Sequence, residues 1–299
     1  MTVINTNTTA SVTANALTKN QRAMETAMER LSTGQRINNA GDDAAGLAIS
    51  SRMTSQVNGL NMAVRNANDA ISMVQTADGA IKEISSMLQR MRELTVQAAS
   101  GTMSSTDRTA LNTEFGALED QIQLISVSTE WNGTKILDGS LGQVSFQVGA
   151  NASQTIAITF ADFNTDNGAT EATQAGTDST DMFTALDHDT HGSGTAGDDL
   201  AGNVITGTYD DTLGHLDRAI KRVDAHRATI GATLNRLEYA ADNLMNVSQN
   251  TSASRSQVLD ADYAAETTEL AKTQIIQQAA TAMLAQANQY PQTVLALLQ

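Results

Sequence analysis

Apolar residues recur every seven positions toward both ends of this 299-residue chain, and no other feature restricts its fold as much. Near the C-terminus two interleaved sets make the repeat, the second lying four residues after members of the first: Ile276, Met283, Tyr290 and Leu297, then Ala280, Ala287 and Val294. Such a repeat predicts a helix that packs along partner helices in a coiled coil. The stretch from 273 to 299 has no charged side chain, but its Gln and Asn content is too polar for a membrane span.

The first part of the chain carries the same kind of repeat. Its members are Val3, Ala10, Leu17, Met24 and Leu31, with Ala14 and Met28 four residues after the second and fourth of these. Residues 1–18 are also uncharged. We predict a helix from about residue 11 to 32, interrupted by Gly34 and then by the turn-forming residues 38–41.

Three further helices are predicted between these ends. Apolar residues from Met53 to Ala98 alternate in steps of four and three, and Asp78 breaks that register once. Ser105 or Thr106 can cap the next helix, which has apolar residues at Leu111, Phe115, Leu118, Ile122 and Ile125. The repeat returns at Leu213, Leu216, Ile220, Val223, Ile230, Leu234, Leu237, Ala241 and Leu244.

One residue and one segment depart from the apolar repeat in the later helices. Arg227 occupies a core position of the repeat that runs from Leu213 to Leu244, either to pair with an acid or to lie at a contact between subunits. Residues 246–256 are polar and predict a break, so the terminal helix is expected to begin at about Gln257.

The period changes to two in a short central region. Val144, Phe146 and Val148 alternate with polar residues, as do Ile156, Ile158 and Phe160, which predicts a β-hairpin. Asn132-Gly133 predicts a tight turn just before it. We therefore predict a mainly α fold of long antiparallel heptad helices, a coiled-coil rod with its terminal helices paired. A small β-hairpin region and an acidic middle segment complete it.

Composition and charge exclude several functional classes. The net charge is −15, and thirteen of the 33 acids lie between Ile136 and Asp217, where no Lys or Arg occurs. This segment should face water, and the absence of a basic patch argues against a nucleic-acid partner. No stretch predicts a membrane span. The N-terminus lacks the features of a cleavable secretory signal, so any export is expected by a route that reads no such peptide.

No residues indicate an enzyme, a cofactor or a catalytic site. The chain has no cysteine, and its four histidines form no metal-protease motif. DHDTH at 187–191 could bind a metal ion through Asp187, Asp189 and His191, but we interpret it as a solvated loop. No metal site is therefore predicted.

The uncharged ends suggest an assembly function. In a polymer of identical subunits, a charge at a tightly packed contact meets its own copies, which is costly in a dry contact. A contact that does not close into a ring generates a helical filament. The sequence therefore indicates either self-assembly or a coiled-coil oligomer that is capped at its ends.

Several segments resemble the hallmark segments of bacterial flagellins, and they cover both ends of the chain in the expected order. They are ERLSTGQRINNAGDDAAGLAIS (29–50), RNANDAISMVQTADGAIKEI (65–84), LQRMRELTVQAA (88–99), FQVGA (146–150), DADYAAE (260–266) and LAQANQYPQTVLALLQ (284–299).

The resemblance implies a structural subunit of the bacterial flagellar filament, which serves motility. Residues 1–43 and 257–299 would form an inner domain of terminal helices. Residues 44–160 and 209–256 would form a helical rod domain with the β-hairpin, and 161–208 a variable surface segment. A hook–filament junction protein has the same design and is the alternative.

The resemblance also implies partners and a location. The protein would be secreted by flagellar type III export and would polymerise with itself into a helical homopolymer in the filament. A flagellin export chaperone, the filament cap and the hook–filament junction proteins would be further partners. The predicted self-assembly seam consists of Leu17, Met24, Met28, Leu31, Ile276, Met283, Tyr290, Val294 and Leu297.

Host immune receptors are the last class of partner that the resemblance implies. Residues similar to those that plant receptor kinases contact are Asp42, Asp43, Gly46 and Leu47. Residues similar to those that a vertebrate Toll-like receptor contacts are Arg90, Leu94 and Glu114. Arg90 and Leu94 lie four apart, and on a continuous helix they are expected to share a face.

Overall fold

The computed structural model describes the backbone of residues 7–163 and 209–297, and the side chains of residues 7–163 and 212–289. Within these ranges the protein is mainly α-helical, as the sequence predicts. In chain order its elements are α1 (Thr8–Thr33), α2 (Ala44–Ala98), α3 (Ser105–Ser128), β1 (Glu130–Trp131), β2 (Thr134–Lys135), β3 (Gln143–Gln147), β4 (Thr155–Thr159), α4 (Tyr209–Leu259) and α5 (Tyr263–Leu297).

The ends of α1 and α3 follow from local hydrogen bonding. The side chain of Asn7 accepts a hydrogen bond from the Ala10 backbone N–H and caps α1, and Gly34 ends α1 in the left-handed conformation at φ 72°. The cap of α3 is Ser104, one residue before the first predicted candidate, Ser105. Ser104 and Asp107 form a capping box, in which each side chain bonds the other's backbone N–H, and this reciprocal pair selects Ser104.

The predicted helix break at 246–256 is wrong. Helix α4 continues through these residues to Leu259, and α5 begins at Tyr263. The polar segment contains neither Gly nor Pro, and a helix can continue through such residues when they lie on its solvent side. The actual break carries its own start signal, because Asp262 Oδ1 accepts a hydrogen bond from the Ala264 backbone N–H at 2.8 Å.

Two antiparallel β-hairpins confirm the predicted change of period. Val144 pairs with Ile158 and Phe146 pairs with Ile156 in the β3–β4 hairpin, where the two isoleucines are buried. The β1–β2 hairpin has a two-residue turn whose central residues, Asn132 and Gly133, have φ values of 50° and 76°. Positive φ at both positions characterises a type I′ turn, which Asn-Gly favours.

The chain divides into two compact units. One comprises residues up to Asn58 and from Val247 onward, and the other runs from Gly59 to Asn246. In the second unit, buried apolar side chains of α2, α3, α4 and the β3–β4 hairpin form one core. Its largest fully buried side chains are Phe115, Phe160, Phe163, Ile81, Ile84, Leu88, Met91, Leu94, Ile122 and Ile136. Each buried side chain of this size contributes about 1.5–3 kcal/mol of hydrophobic stabilisation.

Candidate assembly surface

Helices α1 and α5 lie side by side and antiparallel, and we call them the terminal pair. Three polar contacts set their register. Asn20 Nδ2 donates to the Thr273 carbonyl at 2.8 Å, and Asn7 Nδ2 donates to the Ala287 carbonyl at 2.9 Å. Arg30 Nη1 lies 3.1 Å from Glu266 Oε1. A residue later in α1 therefore meets a residue earlier in α5.

The two helices face each other through small and medium-sized side chains. In α1, Leu17, Met24 and Leu31 are half-buried. In α5, from residue 273 onward, the described positions of lower exposure alternate in steps of four and three, and they are Thr273, Gln277, Ala280, Leu284 and Ala287. Among the described side chains of the terminal pair, only Ala27 and Thr273 are fully buried. The pair therefore has a thin apolar contact of its own.

Five aliphatic or methionine side chains of the terminal pair are exposed, and we call them the outward face: Val12, Met28, Ile275, Ile276 and Met283. Their exposure ranges from 42% for Ile276 to 69% for Val12. The hydrophobic effect favours a partner on these positions.

The structure divides the predicted seam into two sets. Leu17, Met24 and Leu31 lie between the helices, whereas Met28, Ile276 and Met283 belong to the outward face. The side chains of Tyr290, Val294 and Leu297 lie outside the described residues, although α5 is helical to Leu297.

The predicted seam did not include all residues of the outward face or of the contact between the two helices. Val12 and Ile275 were not predicted, because neither fits the chosen seven-residue repeat. The repeat Thr273, Ala280 and Ala287 was a signal for the inner contact, but its first member is polar.

A short link joins the two helix ends of the terminal pair. The Arg36 backbone N–H donates to the Leu259 carbonyl at 2.7 Å, and the Ala261 N–H donates to the Gly34 carbonyl at 2.9 Å. Arg36 Nη2 also donates to the Val258 carbonyl at 2.8 Å. These bonds hold the end of α1 beside the α4–α5 break.

Residues 42–47 have structural roles within the chain. Asp42 Oδ2 accepts hydrogen bonds from the backbone N–H groups of Asn38 and Asn39, which lower the pKa of its carboxyl group. Asp43 Oδ1 accepts from the Gly46 N–H at 2.8 Å, just before Leu47 in the first turn of α2.

Gly46 is needed for close packing. A Cβ atom there would lie 2.6 Å from Ile37 Cδ1 and 2.5 Å from Asp43 Oδ2. The Ile37 side chain is buried, so it has little room to move away.

The second group of predicted receptor contacts is divided by burial. Arg90 Nη2 lies 2.9 Å from Glu114 Oε1, and both side chains are exposed. Hydrogen bonds to Glu114 and then Glu93 raise the pKa of Arg90. Leu94, however, is only 1% exposed and belongs to the core. Helix α2 therefore presents Arg90 to solvent and turns Leu94 inward.

Two other kinds of site are absent from the described residues. No helix there is long and apolar enough to cross a membrane. No cluster of three or more His, Cys, Asp or Glu side chains in the same ranges could hold a metal ion. The DHDTH segment at 187–191 lies outside the described residues.

These features define an α-helical coiled-coil protein whose N- and C-terminal helices pair and present apolar residues outward. The sequence model of the bacterial flagellin N-terminal helical region matches residues 4–141, and that of the C-terminal helical region matches residues 213–298. Together with the relatives below, these matches show that the chain belongs to the bacterial flagellin family, the structural subunits of the extracellular flagellar filament that serves motility. The predicted resemblance is confirmed.

Curated relatives match over nearly the whole chain. Flagellin A of Vibrio cholerae serotype O1 is 36% identical, with 99% of each chain covered. Flagellin B of Vibrio anguillarum is 37% identical, also with 99% of each chain covered. A crystal structure of Bacillus cereus flagellin is 29% identical and covers 60% of this chain and 88% of its own, with a TM-score of 0.45.

Proposed function

We propose that this chain self-assembles into the flagellar filament through the outward face of the terminal pair. The observation that carries the proposal is the exposure of Val12, Met28, Ile275, Ile276 and Met283 on helices with a thin inner contact. Burying a large apolar side chain stabilises an assembly by about 1.5–3 kcal/mol. Contacts repeated in every subunit would accumulate along a filament.

The absence of charge in the last part of α5 supports the same proposal. Residues 273–299 contain no Asp, Glu, Lys, Arg or His, so copies of this helix can approach without like-charge repulsion between side chains at neutral pH. The exposed Thr and Gln side chains can hydrogen-bond to neighbouring copies or to water. A heterologous contact of this kind, repeated without closure, gives a helical homopolymer.

A pair of substitutions at Ile276 tests the proposal. Ile276→Glu places a charge on the outward face, and we expect it to abolish long filaments in seeded polymerisation followed by electron microscopy. Ile276→Leu keeps the apolar surface and should polymerise like the wild type. Equal filament yield from the two variants would refute a role for the outward face.

A truncation tests the wider role of the end of α5. Removing residues 280–299 should abolish filaments while the circular dichroism of the remaining helices is largely retained, since the main core lies in α2, α3 and α4. Normal polymerisation of the truncated chain would contradict the proposed role of α5.

Export and earlier partners extend the proposal. We infer that the chain is secreted by the flagellar type III apparatus, with an export chaperone on α5 before assembly. The filament cap and the hook–filament junction proteins would contact it later. The whole-length relatives named above are flagellins, which supports a filament subunit over a junction protein. Counting copies per flagellum tests this, because a filament subunit requires thousands and a junction protein a single ring.

Host receptors are proposed as partners of two surfaces. Asp42 and Asp43 lie at the start of α2, and Arg90 and Glu114 form an exposed ion pair on the other unit. In both places the side chains already bond within the chain, so receptor binding would use residues that the fold also requires. Gly46, Leu47 and Leu94 would support these surfaces through packing.

We also propose a division of labour along the chain. Residues 1–43 with 257–299 would serve assembly, and 44–160 with 209–256 would form the helical domain that carries the β-hairpins. Residues 161–208 would be the variable surface segment. Deletion of residues 164–208 tests this division, and we expect the shortened chain still to form filaments.

A further inference from the structure

Four methionine side chains are exposed in the part of the chain whose side chains are described: Met28 (48%), Met62 (47%), Met245 (50%) and Met283 (62%). Met28 and Met283 belong to the outward face of the terminal pair. Met62 and Met245 lie on α2 and α4 in the other compact unit. The two pairs have similar exposure but different positions, so each serves as a control for the other.

We propose that Met28 and Met283 are oxidation sites for peroxides, and that their oxidation prevents a free subunit from joining the filament. The proposal rests on the proposed assembly through the outward face. The ligand class is a small peroxide such as hydrogen peroxide, and the modification is methionine sulfoxide.

The chemical step needs no group other than the peroxide. A lone pair of the thioether sulfur attacks one peroxide oxygen, an S–O bond forms, and the O–O bond breaks. The sulfur is oxidised by two electrons, and the departing oxygen takes up the proton of the transferred oxygen and leaves as water. The products are one sulfoxide and one water for each peroxide consumed.

Because Met28 and Met283 are exposed, peroxide should oxidise them faster than the methionines of the core. Met73 and Met91 are buried at 6% and 0% exposure, so peroxide reaches them only when the core opens. Met28 and Met283 are open to solvent in the subunit as it stands. In the filament the outward face is covered, so the reactive period ends when the subunit is incorporated.

Oxidation removes the apolar character of the side chain, on which the proposed assembly depends. The thioether is apolar and flexible, whereas the sulfoxide carries a polar oxygen that must find a hydrogen-bond donor when it is buried. Three of the four positions one turn away from Met283 on α5 are alanines (Ala279, Ala280 and Ala287), which offer no side-chain donor. A covered outward face would therefore reject the modified side chain, and subunits that carry it would be excluded.

The test uses the full-length subunit and dilute hydrogen peroxide. Peptide mass spectrometry should show one added oxygen at Met28 and Met283 well before Met73 and Met91. Seeded polymerisation of the treated wild type should fall at least about tenfold in filament yield, because a buried polar group without a partner is unfavourable. Met28→Leu/Met283→Leu should keep its yield after the same treatment.

Met62→Leu/Met245→Leu is the matched control. It removes two methionines of similar exposure outside the outward face, and after treatment its yield should fall as far as that of the wild type. Methionine sulfoxide reductase with a thiol reductant should restore polymerisation of the treated wild type. Preformed filaments should take up oxygen more slowly at Met28 and Met283 than free subunits do.

The proposal is overturned by any of three results. These are equal inhibition of the Met28→Leu/Met283→Leu variant, protection by Met62→Leu/Met245→Leu instead, and undiminished polymerisation of wild type that carries both sulfoxides. A failure of the proposed function looks different, because Ile276→Glu would then form as many filaments as Ile276→Leu without any peroxide. Circular dichroism of the treated protein separates lost assembly from lost folding.

Discussion

Arg227 Nε lies 3.0 Å from Asp78 Oδ1, and the ion pair connects α4 to α2. Each residue interrupts the apolar repeat of its own helix, so two apparent irregularities of the sequence form one contact. The sequence left open whether Arg227 meets an acid or another subunit, and the structure shows the acid. Because the side chains are 35% and 37% exposed, water screens the pair partly, and its strength is about 1 kcal/mol or less.

We predict that Asp78 and Arg227 are energetically coupled in the free energy of unfolding. Asp78→Leu or Arg227→Leu alone leaves one charge without its partner and should lower the free energy of unfolding by about 1 kcal/mol. The double replacement restores the apolar repeat and should equal or exceed the wild type. Urea unfolding followed by circular dichroism measures each value. Strictly additive losses in the double variant would show that the pair does not couple.

The Arg92–Asp217 pair provides a control. It also joins α2 to α4, at 2.7 Å, but its side chains are more exposed. Replacing both residues by leucine should give no gain in stability, since no apolar repeat is restored there.

Gly34 should be required for a stable terminal pair. Its φ of 72° is costly for a residue with a Cβ, by about 1–2 kcal/mol. Gly34→Ala should therefore increase hydrogen exchange in α1 and α5. Gly41→Ala is the matched control, because Gly41 has no positive φ and a Cβ there would meet no atom within 4 Å. Unchanged exchange in Gly34→Ala would contradict the importance of the helix-end link.

Replacement of Leu94 should affect the stability of the fold, whereas replacement of Arg90 should affect receptor binding. Leu94→Ala leaves a cavity in the core and should lower the free energy of unfolding by about 2–5 kcal/mol. Arg90→Ala removes an exposed ion pair and should leave the unfolding midpoint nearly unchanged. A receptor-reporter assay on folded protein should then respond to Arg90→Ala directly. Equal stability losses for both variants would contradict this division.

His226 should make the fold sensitive to mild acid. Burial lowers the pKa of His226, and its Nε2 atom has no hydrogen-bond partner. The His226 and Phe163 rings pack in an edge-to-face arrangement with a centroid distance of 5.8 Å. Because the unfolded chain binds the proton more readily, this contribution to stability is complete above about pH 6.5 and is lost as the pH falls through the lowered pKa.

Thermal unfolding between pH 7.5 and 5.5, roughly one unit either side of the ordinary histidine pKa, measures this effect. His226→Phe should flatten the pH dependence in that range, because no proton is bound at the position. A His226→Phe profile that matches the wild type would exclude His226 as the source.

The sequence predicted a helix accurately where the apolar repeat and the residues that begin or end a helix indicated the same bounds. The helix predicted at about 11–32 is observed as Thr8–Thr33, and Gly34 ends it. The helix predicted to begin at about Gln257 was misplaced, because polarity alone was taken as a break. Helix α4 continues there, and Asp262 rather than the polar segment marks the next start.

Sequence alone determined that both ends of the chain form helices that need helical partners, because the seven-residue repeat and the lack of charge are local properties. Only the tertiary structure decided which side of each helix is used within the chain. On α5, Ile276 and Gln277 are adjacent, yet Ile276 is exposed and Gln277 is half-buried. The contacts of Thr273 and Glu266 with α1 set that rotation. Two of the inner positions, Thr273 and Gln277, are polar, so the apolar repeat of α5 by itself selects Ile276 and places it at the contact.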